Sequence, residues 1–106
     1  MALSETQYAV INQAAATGTL VAAAGAGCKV RVVSLFLLNT TAQSLTFKSG
    51  AGGTALTGAM ALPALGSLVL PFNVNGWFET AANTLLELAA SGGTQVSGAL
   101  QYVIVG

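Results

Sequence analysis

Lys29-Val30-Arg31-Val32-Val33-Ser34-Leu35-Phe36-Leu37-Leu38 is the stretch that decides the fold. It opens as an alternating strand, with Lys29 and Arg31 on one side and Val30 and Val32 on the other. From Val33 the alternation fails, because Val33, Leu35 and Leu37 oppose Phe36 and Leu38 and both sides become apolar. A strand apolar on both sides is covered on both. In a two-layer sandwich the domain itself covers only the inner side. Something else must then cover the outer one.

Working outward from this strand, clusters of turn-forming residues punctuate the chain at Ala16-Thr17-Gly18, Gly25-Ala26-Gly27, Asn39-Thr40-Thr41, Ser49 to Gly53, Asn75-Gly76 and Ser91-Gly92-Gly93. Spacing of about 8–12 residues between such clusters is that of an all-β sandwich or barrel. Between them Ser44 to Lys48 alternates Leu45 and Phe47 against Thr46 and Lys48, and Leu68, Leu70 and Phe72 share a face. Pro71 marks an edge strand or a strand end, since it cannot donate to a ladder. Asn75-Gly76 suits a type I′ turn and predicts a hairpin folding Leu68–Asn73 back on Trp77–Thr80. The last strand, Gln95 to Val105, sets Leu100, Tyr102 and Ile104 against Ala99, Gln101 and Val103, with Gly98 at a bulge or a close backbone approach.

Two segments admit either period. Ser4-x-x-Gln7 has the form of a capping box, and Tyr8, Ile11, Ala14 and Ala15 fit a helical stripe, although Val10 and Ile11 are β-branched. Asn83 could cap a helix through Leu85, Leu86 and Leu88, but the run is short and residues 84–90 read as a strand. The expectation is an all-β protein, a two-layer antiparallel β-sandwich of about eight strands. Residues 1–24 form an N-terminal arm plus one or two strands of the same domain, and residues 25–106 form the sandwich.

Composition points the same way. Of the 106 residues 54% are hydrophobic and 6% charged, three Lys/Arg against three acids, with no histidine. An ordinary domain carries roughly 25% charged residues. Zero net charge removes repulsion between copies and suits a chain that works in an assembly. The lone Cys28 makes no internal bridge and reads as a small buried hydrophobe at a strand start. Residues 1–7 have neither a basic n-region nor a long apolar h-region, so no secretory signal is expected. The apolar runs fall short of the ~18–20 residues of a membrane span.

Catalytic chemistry finds few residues to work with. Histidine, the commonest general base and metal ligand, is absent. Glu5, Glu79 and Glu87 are far apart in sequence, and the last two read as solvated outward charges rather than a carboxylate pair. One thiol, no imidazole and no Asp are too few ligands for zinc or a calcium loop, and no cofactor is expected. Ser49 to Thr54 lacks the Lys-Ser/Thr of a phosphate-binding loop and reads as a hairpin loop. Lys29, Arg31 and Lys48 are expected on one sheet, but three cations balanced by three acids give little affinity for nucleic acid. An enzyme is not expected, nor is a nucleic-acid, membrane or small-molecule partner.

Lys29 to Thr40, Ser44-Leu45-Thr46-Phe47-Lys48-Ser49-Gly50, Asn75-Gly76-Trp77-Phe78-Glu79-Thr80 and Val96 to Val105 together give a texture that resembles the small jelly-roll decoration (cement) and head-fibre-type proteins of tailed bacteriophages. The resemblance implies a jelly-roll-like homotrimer on a lattice of major capsid protein, with a reinforcing role and an N-terminal arm reaching a neighbour. Its location would be the capsid surface of the virion, after synthesis in the host cytoplasm. Val33, Leu35, Leu37, Trp77 and Phe78 are the candidate oligomer or capsid interface, the first three by whichever side of the strand proves to face outward. The alternative is a tail-fibre or spike head that binds host-surface glycan through Trp77, Phe78 and loop residues.

Overall fold

The computed structural model describes residues 5–106, so Ser4 of the possible capping box lies outside the described residues. Ten strands and no helix are found there: β1 Gln7–Gln13, β2 Thr17–Val21, β3 Lys29–Asn39, β4 Gln43–Ser49, β5 Thr54–Ala55, β6 Met60–Leu62, β7 Ser67–Leu70, β8 Phe78–Glu79, β9 Leu86–Ala90 and β10 Val96–Val105. All pairings are antiparallel. One sheet runs β1-β10-β3, with β7 and β8 both against β3; the other runs β2-β9-β4, with β5 and β6 both against β4.

Short strands lying end to end against one partner behave as a single interrupted strand. Counted so, the described residues form eight strands, and these make one ribbon. Its first half (β1, β2, β3, β4) pairs in order with its second half read backwards (β10, β9, β8 with β7, β6 with β5). Wrapping that ribbon so that β10 meets β3 and β9 meets β4 closes two four-stranded layers, which is the jelly-roll arrangement. The arm region supplies one strand to each sheet: β1 borders the first and β2 the second.

The core lies between the layers. Ile11, Val30, Val32, Leu35, Leu37, Leu45, Phe47, Leu86, Leu88, Val96 and Leu100 are buried there in one cluster. Each such aliphatic or aromatic side chain contributes roughly 1.5–3 kcal/mol on leaving water. β4 keeps strict alternation, so Leu45 and Phe47 face inward, and in β10 Leu100, Tyr102 and Ile104 face the core as the sequence suggests, while Val103 on the other side is buried as well.

β3 does not keep it. Every residue of β10 has a partner on β3, but the register slips between Gln101 and Tyr102 and leaves Val33 as the one β3 residue unmatched. Val33 is therefore a β-bulge, and a bulge resets the side-chain phase. Val30 and Val32 face inward before it, and Leu35, Leu37 and Asn39 face inward after it. The expectation that Val33, Leu35 and Leu37 present an outer interface is thus corrected: all three are at most 2% exposed within a single chain. Phe36 and Leu38 are the outward pair.

Three further expectations change. Asn75-Gly76 does form a turn, with Gly76 at φ 81° and its N–H donating to the Asn73 carbonyl at 2.8 Å. No hairpin results, because β7 and β8 do not pair with each other but follow in one direction along β3. Lys48 sits on the sheet opposite Lys29 and Arg31, since the chain crosses layers between β3 and β4. Glu87 is not a solvated charge: it is 4% exposed and accepts a hydrogen bond from the Gly52 N–H at 3.1 Å, beneath the loop that follows β4. Cys28 is buried just ahead of β3.

One end of the sandwich is tied by a buried polar knot. The Gln43 side-chain amide donates to Asn39 Oδ1 at 2.8 Å, while its oxygen accepts from the N–H groups of Gly92 and Thr94. Asn39 Nδ2 in turn donates to the carbonyls of Leu62 and Pro63. Three loops from both sheets are joined through two side chains. Gln43→Leu leaves several of these buried groups without partners and should cost about 2–4 kcal/mol, to be read from urea unfolding.

Candidate functional site

The two outer faces of the sandwich are chemically unlike. On the β2-β9-β4 sheet the register aligns Thr17, Ala89 and Thr46 in one cross-strand row, and Thr19, Glu87 and Lys48 in the next. That face is small and polar. On the other sheet Val10 is opposite Ala99, Ala99 opposite Phe36, and Phe36 opposite Val69, which makes an apolar row across four strands. Val10, Phe36 and Val69 are each about 60% exposed. Cross-strand neighbours on one face are about 4.5–5.5 Å apart at Cβ, so the row is continuous.

Ala99, small between larger neighbours, leaves a hollow of ≈ 380 Å³ in this face, lined by Tyr8, Ser34, Phe36, Ala99 and Gln101. One hydrogen bond steadies its rim: Ser34 Oγ donates to Gln101 Oε1 at 2.7 Å. Beyond the bulge the same sheet carries its charges: Arg31 Nε meets Glu79 Oε1 at 2.9 Å, and Lys29 Nζ lies 3.8 Å from Glu79 Oε2. These charges are paired with each other at one end of the face, away from the apolar row.

A second apolar surface is the segment between β7 and β8. Phe72, Val74 and Trp77 are exposed on it. It is nevertheless well anchored, with the Asn73 N–H on the Val33 carbonyl and the Trp77 N–H on the Val32 carbonyl, both at 2.8 Å. The bulge turns these two successive carbonyls to the loop. Asn73 Oδ1 accepts from the Asn75 N–H, and the Trp77 indole donates to the Pro71 carbonyl at 2.8 Å. Beside Trp77 an apolar slot of ≈ 150 Å³ opens between the sheets against Phe47, Met60, Leu68, Leu70 and Phe78.

Of the candidate interface residues, then, Trp77 is exposed, Phe78 is half-buried with its ring 4.9 Å from that of Phe47, and Val33, Leu35 and Leu37 are interior. The structure brings Trp77 and Phe78 together at the slot and separates them from the apolar row. Sequence reasoning missed Tyr8, Val10, Ala99 and Val69. Their signal was alternation within β1, β7 and β10, but only the register joins them to Phe36.

No protein-family model matches the chain, and no curated protein matches it. Among solved structures the chain is similar to one in the "Structure of infectious bursal disease virus Gx strain", with 16% sequence identity and a TM-score of 0.36. The alignment covers 94% of this chain and 32% of the viral one, so the chain spans about a third of that protein's length.

Proposed function

We propose that this chain is a structural virion protein, a decoration or cement protein that associates with itself and binds a lattice of major capsid protein to reinforce it. The observation that carries the reading is an apolar exterior on a domain whose core is already complete: Phe36 and Val69 on one sheet face, and Phe72, Val74 and Trp77 on an anchored loop. Exposed apolar patches on a folded domain mark interaction sites. Two separate patches fit a component with two kinds of neighbour, its own copies and the shell. Jelly rolls are also common in capsid domains, an analogy of fold. The role is mechanical: modest contacts repeated by symmetry hold capsomers together.

The loop is the lattice contact in this reading, because its backbone is fixed before binding and little ordering entropy is lost. A glycan-binding head is less well supported. The Trp77 indole already spends its one donor on Pro71, the Phe78 ring packs tilted against Phe47, and the slot beside them is lined mainly by hydrocarbon where a sugar needs polar partners.

Particles of the parent virus made without this protein provide the test. Purified protein is expected to co-sediment with them and to raise their temperature of disruption. Phe72→Ser combined with Trp77→Ala should weaken that binding at least about tenfold, the loss of two aromatic anchors. Failure of the wild-type protein to bind at about 10 μM would remove the lattice role.

A further inference from the structure

We infer that the outer face of β1-β10-β3-β7 seats a second copy of this chain, sheet against sheet about a two-fold axis, with Phe36 of each protomer entering the other's hollow over Ala99. This goes beyond the virion reading, because it concerns the purified protein and holds whatever the lattice contact proves to be.

Three observations favour a second copy over another partner. The first is charge. The row Val10, Ala99, Phe36 and Val69 and its flanking positions Tyr8, Ser34, Leu38 and Gln101 include no Asp, Glu, Lys or Arg, and Lys29 and Arg31 are engaged with Glu79 at the far end. A charged partner would leave its own charges unpaired here, whereas a copy brings the same uncharged face.

The second is shape. Ridge and hollow lie side by side on one surface, since Phe36 itself forms a wall of the hollow of ≈ 380 Å³. Self-complementarity of that kind is what a two-fold contact requires. Phe36 is 59% exposed, so most of the ring is available to the partner.

The third is size. β1, β10 and β3 contribute about seven residues each and β7 four, which at about 4.8 Å between strands and about 3.3 Å rise give a footprint of about 400 Å². Two such faces bury about 800 Å², the size of a weak, transient contact. Such a pair forms at moderate concentration, with a Kd on the order of 10–100 μM, and becomes stable when a lattice holds the copies close. Sheets packed face to face are also a standard solution, about 10 Å apart with interdigitated side chains.

Sedimentation velocity of the purified chain up to about 500 μM tests the pairing. Expected are a dimer that forms in the micromolar range at both about 0.1 and about 1 M NaCl, since no ion pair contributes, and a shift of at least about tenfold towards monomer in Phe36→Glu and in Val69→Glu. Thr46→Glu, on the opposite polar face, should dimerise as the wild type does. Circular dichroism identifies the folded variants, and having two on the row keeps the test decisive if one is unfolded. A wild-type protein that stays monomeric overturns the inference, as does a dimer or trimer indifferent to both row variants. A trimer sensitive to them overturns the two-fold geometry. If Phe36→Glu is monomeric yet still binds deficient particles, pairing and lattice binding are separate properties. If the wild type pairs but binds no particle, only the lattice role fails.

Discussion

Gly98→Ala is expected to cost at least about 3 kcal/mol, and Gly98→Val to leave no folded protein at room temperature. Gly98 lies opposite Leu37 in the central β10-β3 pair. A methyl group at this position would run into the carbonyl oxygen of Phe36 and come within 2.7 Å of the Leu37 Cα. These are backbone atoms of an inner strand, which no rotamer change can move aside. The two strands would have to separate where Leu35, Leu37 and Leu100 pack, and forced separation of a well-packed core is among the costlier single changes. Small domains hold only about 5–15 kcal/mol in all. Urea unfolding followed by circular dichroism measures the loss. A Gly98→Ala variant as stable as the wild type would mean that the β10-β3 register is different.

The second large effect separates two adjacent residues. Leu35→Lys should unfold the domain, at more than about 4 kcal/mol, while Phe36→Lys one residue later should keep the fold and lose only association. Leu35 lies in the central cluster at 2% exposure, so an ammonium group there is stripped of water among aliphatic side chains. Phe36 is open to solvent, and a lysine in its place is hydrated. Thermal melts of the two variants, side by side, report the phase of β3 directly. If Leu35→Lys melts like the wild type and Phe36→Lys does not fold, the bulge at Val33 is misplaced.

That contrast also shows how far the sequence could be read. β4 was legible because period-2 alternation runs through it unbroken, β10 because Leu100, Tyr102 and Ile104 mark its inner side, and the turn clusters because Gly, Asn and Ser fix local backbone shape. The bulge was not legible. Val32-Val33 is an ordinary pair of strand residues, and the slip arises from the register of a partner more than sixty residues away. Without the bulge, the apolar residues on both sides of β3 imply an outer face at Val33, Leu35 and Leu37. With it, outward exposure passes to Phe36 and Leu38. The same limit applies to Asn75-Gly76, where the dipeptide sets a turn but not which strand its flanks will join. Glu87 was misread because a loop from another strand folds over it, and nothing in its immediate sequence announces that cover. The apolar row could be seen only in fragments, one residue per strand.

The ribbon has a consequence for how the protein comes to exist. β10 is the last strand in chain order but inner in its sheet, lying between β1 and β3, with Tyr102 facing Gln7 on one side and Val32 on the other. A nascent chain whose β10 is still inside the ribosome has a gap at the middle of one layer and exposes Ile11, Leu35 and Leu37 to whatever is nearby. Contacts this distant in sequence make folding slow. The decisive step therefore waits for β10 to emerge, and until then the surface most prone to aggregate is the one that later forms the interior.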